Sequence, residues 1–398
     1  MDLLIQYHRN LLNNLRITFT RNIINEIEWH ERLIGIEGYR GVGKTTLMLQ
    51  YIAKNYSIDD ANCLYVNLDN LYFPFQNLAE LAQTFHNRGG KVLFIDEIHK
   101  YPDWSKELKH IYDMIPELKV VFSGSSIIHL QLVNADLSRR AVIYRMKNLS
   151  FREYLNIELK KDFKAYKLSD IVINHEKYTL EICSQIKPLQ YFENYLKQGC
   201  FPFYLQGLTT YHQKLNSTLS LIIETEIPLI SNIDTKNIIL IKRLLQYLSA
   251  MVPLTVNISK IAVTFGLSRQ TVISILKYLN DTEIISSIYS SGSLYRKMAK
   301  PEKIYLGNPN LCYSLSSEKP EVGNLRETFF VNQLQSNYTI EIPEKGDFLI
   351  DNKYTFEIGG KSKTNEQIKN IKQSYIVADN IEYGIGNKIP LWLFGFLY

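Results

Sequence analysis

Residues 32–47 read RLIGIEGYRGVGKTTL, and the reading of the whole chain turns on them. An apolar run, Leu33–Glu37, passes into GYRGVGKTT, which fits GxxxxGK[ST] with Gly38, Gly43, Lys44 and Thr45 in the defining places. Glycines let the backbone curl until successive N–H groups point inward at a phosphate, and the helix that follows adds its N-terminal partial charge. The expected cradle is Gly38, Tyr39, Arg40, Gly41, Val42, Gly43, Lys44, Thr45 and Thr46. Lys44 is expected to reach the outer phosphates of a nucleotide, and the Thr45 hydroxyl to ligate Mg²⁺. A tight strand–helix turn without a ligand is the alternative. The flanks, an apolar strand before and TLMLQYIAK after, favour the cradle.

Working outward, VLFIDEIHK at 92–100 places Asp96 at the carboxyl end of a buried strand, where ligands bind in open α/β sheets. Asp96 is expected to hold the Mg²⁺, and Glu97 to orient or deprotonate an attacking water. A third strand, KVVFSGSS at 119–126, ends in hydroxyls. Ser123 or Ser125 is expected either to sense the terminal phosphate or to cap the next helix. Arg139 and Arg140 offer a charge for the transition state, in cis or from another subunit, against the alternative of an ordinary surface arginine.

The strands expected around these motifs are Leu33–Glu37, Cys63–Asn67, Val92–Asp96, Lys119–Phe122 and Ala141–Arg145. Helices Lys44–Lys54, Leu78–Asn87, Trp104–Met114 and Ile127–Leu132 separate them. Continuous apolar strands alternating with helices predict a parallel sheet covered on both faces. From 151 to 250 the pattern is helical, and from Lys303 onward β-rich. The 398 residues suggest two or three domains, and the pattern favours three. Four scattered cysteines without a CxxC pair speak against zinc, and the net charge of +5 is that of an ordinary globular chain. The first 22 residues do not read as a signal peptide and no apolar run reaches a membrane span's length, so a soluble cytoplasmic protein is expected.

Residues 257–292 show two short helices across Gly266, the second capped by Ser268, with a two-stranded wing to follow. Arg269, Gln270, Ser274 and Lys277 lie on the outer face of the second helix. Between 255 and 300 six basic residues stand against two acidic ones, a net +4 and most of the chain's +5. Such a concentration suits a polyanion such as DNA. It also suits a packing module.

In the tail, IEIPEKGDFLIDNKYTFEIGGK at 340–361 puts Asp347 and Glu357 on neighbouring β segments. Nucleases of the D…ExK type place a lysine two residues after the second carboxylate. Here that place is Gly359, and the nearest lysine is Lys361, with Gln367 on an expected following helix. Catalytic positions tolerate about half an ångström of error, so a fold retained without cleavage is the favoured reading.

The chain resembles bacterial and archaeal AAA-like P-loop ATPases that carry a C-terminal restriction-endonuclease-like domain of unknown function. The resemblance rests on RLIGIEGYRGVGKTTL, LFIDEIHKYPDW, VVFSGSS, LSFREYL at 149–155, YLKQGCFPFY at 195–204, KPEKIYLGNPNL and GNLRETFF. It implies an α/β fold: a five-stranded AAA-like parallel sheet with a helical lid, then a winged helix-turn-helix, then an α+β nuclease-like domain. The expected boundaries are 1–225 (core 30–160), 226–300 and 301–398. The resemblance further implies ATP held by residues 38–46, Mg²⁺ at Thr45 and Asp96, Glu97 as water activator, and Arg140 as the arginine of a GR pair. The residue before it is Arg139 rather than glycine.

The leading expectation is a Mg²⁺-dependent ATPase acting as a nucleotide-driven switch, in contact with DNA or with a protein partner. The alternatives are a DNA-binding regulator or scaffold with ATP as a structural ligand, and an ATP-gated nuclease built on Asp347, Glu357 and Lys361.

Overall fold

The structure is a computed structural model of the full chain. It describes all residues except 70–76, 127–136, 138, 231–234, 252, 293–299 and 317–318. The expected helix Ile127–Leu132 lies outside the described residues, as do Arg296 and Lys297. The chain divides into two compact units, Met1–Lys147 and Asn148–Tyr398.

The first unit is built on five parallel strands: β1 (Leu33–Glu37), β2 (Cys63–Asn67), β3 (Val92–Asp96), β4 (Lys119–Gly124) and β5 (Val142–Arg145). Their order is β2-β3-β4-β1-β5. Helices α1 (Asp2–Asn13), α2 (Lys44–Asn55), α3 (Leu78–Asn87) and α4 (Trp104–Met114) accompany them. Strands β1 and β3 are buried at every residue, as a sheet covered on both faces demands. One core cluster runs from Leu33, Leu93 and Val120 on the strands to Leu81 and Phe85 of α3 and Trp104, Leu108 and Ile111 of α4. This is the P-loop NTPase architecture. Because β1 lies between β4 and β5 while its chain crosses to β2, the loops after β1, β3 and β4 converge on one carboxyl edge.

The second unit begins with a cap. Ser150 accepts the Glu153 N–H at 3.1 Å while Glu153 reaches back to the Ser150 N–H at 3.2 Å, starting α5 (Phe151–Leu159). Helices α6 (Leu168–Cys183), α7 (Leu189–Gln198), α8 (Tyr211–Leu221) and α9 (Thr235–Met251) follow. The first helix of this unit, read from the sequence as part of a lid, shares a core with the end of the chain. Phe151 packs edge-on to Phe396 and Phe192 to Phe329, and the Tyr398 carbonyl oxygen accepts from Ser150 Oγ and Arg152 Nε, each at 2.8 Å.

Strand β6 (Leu254–Thr255), α10 (Ile258–Phe265), α11 (Arg269–Asp281), β7 (Ile285–Ser290) and β8 (Lys303–Leu306) come next. β8 pairs antiparallel with both β6 and β7. Two helices, α12 (Pro309–Leu315) and α13 (Val322–Leu334), interrupt the β-rich tail before β9 (Ile340–Ile342), β10 (Phe348–Ile350), β11 (Tyr354–Gly359), β12 (Ser374–Ala378) and β13 (Lys388–Pro390). The strands of the expected wing and those of the tail, read separately from the sequence, form one eight-stranded sheet. Its order is β13-β12-β11-β10-β9-β7-β8-β6, with β7 parallel to β9. Among the described residues no helix is long and apolar enough to cross a membrane.

Candidate functional site

The loop between β1 and α2 is shaped by two glycines that no other residue replaces without strain. A Cβ on Gly38 would sit 2.2 Å from the Met146 carbonyl oxygen, and Gly43 starts the helix at φ 103. Arg21 braces the loop from the N-terminal segment, donating to the Val42 carbonyl at 3.0 Å and to the Lys147 carbonyl at 2.9 Å. Lys44 is buried, and its ammonium is held by the carbonyl oxygens of Gly38 at 2.8 Å and Tyr39 at 3.1 Å. The cradle thus tethers its own lysine above the loop. Tyr39 and Val42 are buried, while Gly41 and Thr46 are exposed.

Asp96 ends β3 fully buried, and hydroxyl groups converge on it. Its Oδ2 accepts from Thr45 Oγ1 and from the Tyr65 hydroxyl, each at 2.6 Å, and its Oδ1 accepts from Ser123. Burial, then the charge of Asp96, pushes the Tyr65 phenol well above its ordinary range, so Tyr65 stays a donor. The expected pair Thr45 and Asp96 and the expected Ser123 are therefore in one constellation. Sequence reading missed Tyr65, because a strand buried on both faces shows no alternation to mark an inward polar tip.

Glu97 takes φ 56, unusual for a residue with a side chain, and its N–H bonds Asp96 Oδ1 at 3.1 Å. Its Oε2 lies 3.4 Å from Nε2 of buried His99. The Ser125 N–H points at His99 Nδ1 at 3.4 Å, which assigns the proton to Nε2, facing Glu97. Burial, with the charges of Lys44, Lys100 and Arg40 adding to it, pushes His99 down to about 3, so the imidazole is neutral. His99 stood in the sequence motif without a role. Ser125 enters the site through its backbone N–H.

Arg140 is not brought to this edge. β5 pairs Val142 with Ile34, near the start of β1, so Arg140 belongs to the amino edge of the sheet. There it pairs with Asp113 near the end of α4, at 3.1 and 3.3 Å. A cis role for Arg140 at the cradle of its own chain is therefore corrected: it stands just before β5, at the end of the strands opposite the cradle. Arg139, its neighbour, precedes β5 as well.

In the second unit, Arg269, Gln270 and Lys277 are exposed on α11, and Ser274 is half-buried. Asp347 and Glu357 come together, but Lys361 does not join them. Lys361 is exposed, while Lys363 Nζ lies 2.6 Å from Glu357 Oε1. Gln367 is exposed and sits in turns, where a helix was expected.

Glycine loop, buried carboxylate and strand order together give the first unit the P-loop NTPase fold. Residues 30–155 match the AAA domain family, and residues 189–321 match a domain of unknown function (DUF8612). Two proteins of Methanocaldococcus jannaschii are similar. Uncharacterized protein MJ1637 is 28% identical over 69% of this chain and 60% of its own length. Uncharacterized protein MJ1544 is 23% identical over 86% of this chain and 76% of its own. The chain thus spans less than two thirds of the first of these relatives. Among solved structures, Aeropyrum pernix ORC1 in complex with DNA aligns at TM-score 0.31 and 11% identity, covering 80% of this chain and 92% of that one. Thermotoga maritima RuvB aligns at TM-score 0.30 and 14% identity, covering 72% and 89%.

Proposed function

We propose that the first unit binds ATP with Mg²⁺ and hydrolyses it, and that the nucleotide state acts as a conformational switch. The observation that carries this reading is the junction of three elements at one carboxylate: Thr45 of α2, Tyr65 of β2 and Ser123 of β4 all on Asp96. The residues suit the ion: a hydroxyl and a carboxylate, both hard oxygen donors, lie beside a glycine-rich loop whose packing against Met146 leaves no room for a Cβ at Gly38. Mg²⁺ bound there would neutralise charge on the outer phosphates. Residues 38–46 hold the phosphates, and Lys44 exchanges its two loop carbonyls for phosphate oxygens. Glu97 orients a water and takes its proton, with Ser123 beside Asp96 fixing the metal-side carboxylate. Three variants test the reading. Lys44→Ala is expected to abolish binding of a fluorescent ATP analogue. Glu97→Gln is expected to bind it normally while turnover falls about a hundredfold or more. Asp96→Asn is expected to lose the Mg²⁺ dependence. Equal turnover in all four proteins overturns hydrolysis, and tight binding without turnover in the wild type leaves ATP as a structural ligand.

A second reading, binding of DNA, has its own observation. α10 and α11 meet across Gly266 at φ 64, with β6, β7 and β8 connected as a winged helix requires, and Arg269, Gln270 and Lys277 stand exposed at α11. Duplex DNA affinity, measured by anisotropy against salt, is expected to fall with salt in the wild type. In Arg269→Ala/Lys277→Ala the slope should drop by about one for each phosphate that is no longer neutralised. No binding at low salt removes this reading and leaves the ATPase untouched.

A further inference from the structure

His99, which the sequence motif left without a role, is built into the site from two sides. It lies on a single 3₁₀ turn, Ile98–Lys100, that follows β3 and is closed by the Lys100 N–H on the Glu97 carbonyl at 2.9 Å. This turn brings the ring back to Glu97, with Nε2 at 3.4 Å from Oε2. On the other side, Nδ1 accepts the Ser125 N–H, just beyond the end of β4, at 3.4 Å. The His99 side chain is 2% exposed and that of Glu97 17%. A ring packed in on all sides keeps one orientation, while a partly open carboxylate can turn.

Glu97 itself is held by its backbone. Its φ of 56 is a left-handed value that is costly for a residue with a Cβ, and it persists only where the surroundings impose it. Here the Glu97 N–H is shared between Asp96 Oδ1 at 3.1 Å and Ser123 Oγ at 3.3 Å. The main chain of Glu97 is thus fixed to the ends of β3 and β4. Those bonds leave the direction of its carboxylate unset.

One atom marks what is missing. With Nδ1 accepting, the neutral ring carries its proton on Nε2, and burial, with the charges of Lys44, Lys100 and Arg40, keeps the ring neutral. Yet Nε2 is buried and makes no hydrogen bond among the described residues, so its approach to Glu97 Oε2 falls short of a bond. A buried donor is costly until it is satisfied, and catalytic hydrogen bonds that are long without substrate tighten when it binds. We propose that His99 is the positioning residue of Glu97: once nucleotide fills the cradle, Nε2–H donates to Glu97 Oε2 and leaves Oε1 aimed at the attacking water. This rests on the ATPase reading above and adds to it the group that aims the base. The proton that the water gives up goes to Glu97, while His99 keeps its own and lends only a hydrogen bond. β4 then serves as a common reference for both carboxylates. It holds Asp96 through Ser123 and Glu97 through Ser125 and His99, so a shift of that strand end moves the metal-side carboxylate and the base together.

The test separates donation at Nε2 from the filling of space. Glutamine at this position offers an amide N–H near the place of Nε2, whereas asparagine offers a carbonyl oxygen near that of Nδ1. For the full chain turning over ATP with Mg²⁺, His99→Ala is expected to lower kcat about a hundredfold with KM unchanged, because a misaimed base loses its geometry. His99→Asn, which still satisfies the Ser125 N–H, is expected to fall as far, and His99→Gln to recover most of the loss. Urea midpoints check that all three fold. A ring with only a structural role gives the reverse order, with asparagine the better substitute, and that order overturns the proposal. So does a kcat equal to wild type in all three, or a rise in KM with kcat unchanged, which puts His99 on the nucleotide rather than on Glu97. A second measurement needs no turnover: nitrogen NMR of isotope-labelled histidines in the full chain, with a non-hydrolysable ATP analogue and Mg²⁺, His99 being assigned by its loss in His99→Gln. The expected ring is neutral and protonated at Nε2, and its Nε2–H proton moves downfield with the analogue in the wild type but not in Glu97→Ala. A ring protonated at Nδ1, or the same movement in Glu97→Ala, overturns the contact. A wild type that gives the expected signature without turning over ATP overturns hydrolysis and upholds the His99–Glu97 contact, so the two failures are distinguishable.

Discussion

At the scale of single residues, Asp96 and His99 show how a short motif acquires its surroundings. The apolar run before IDE was enough to bury Asp96 at a strand end. Which hydroxyls would meet it was not, because Thr45, Tyr65 and Ser123 come from one helix and two strands far apart in sequence. Tyr65→Phe removes one donor to the carboxylate and is expected to weaken Mg²⁺-dependent turnover severalfold, read as a shift in the Mg²⁺ concentration giving half-maximal rate. His99 gives a pH prediction with a definite sign. Its folded-state value of about 3 lies below the ordinary histidine value of 6.5, so between these the unfolded chain binds the proton and the folded chain does not. Stability is therefore full above pH 6.5 and falls as pH drops toward 3. His99→Asn should flatten part of that fall, measured as the change in urea midpoint between pH 7 and pH 5 for each protein. An equal fall in both would show that His99 is not the titrating group.

At the scale of elements, the starts of helices follow from local sequence. LSFREYL carries S-x-x-E, and the structure forms both halves of the capping box at Ser150 and Glu153. Ser268 likewise caps α11 by accepting the Thr271 N–H at 3.0 Å. Ser150→Ala is expected to cost about 1 kcal/mol, and more than a surface cap because Ser150 also binds the Tyr398 carbonyl. Urea unfolding followed by tryptophan fluorescence measures it. Helix α13 was missed within a tail read as β-rich, for a physical reason. Its residues Thr328 through Leu334 are all buried, so no apolar stripe with a 3.6-residue period marks it. The stretch after Glu357 failed the opposite way. A helix carrying Gln367 was expected there, but the chain turns so that Lys363 folds back over Gly359.

At the scale of the whole molecule, two units each hold a core of their own, and motifs distant in sequence join within the second. Asn310, fully buried, accepts from the Cys200 N–H at 2.8 Å and from the Tyr211 hydroxyl, and donates to the carbonyls of Tyr195 at 3.0 Å and Leu196 at 2.7 Å. One amide side chain thus ties YLKQGCFPFY to the GNPN turn. Asn310→Ala orphans several buried polar groups and is expected to cost about 3 kcal/mol in the second unit, while binding of an ATP analogue by the first unit stays unchanged in a fluorescence titration. Local chemistry is what the sequence determined by itself: the glycine-rich loop, the strand and helix spans around it, the Ser268 cap, and the placing of the carboxylates Asp96, Glu97, Asp347 and Glu357 on or beside strands. Each depends on neighbours within a few residues, where spacing and apolar pattern suffice. The tertiary structure decided what needed long-range pairing. It set Arg140 at the far edge of its sheet, merged β6, β7 and β8 with the tail strands into one sheet, and placed Lys363 rather than Lys361 at Glu357. Strand register and the space beside a single glycine govern those outcomes, and neither is written in the spacing of the residues themselves.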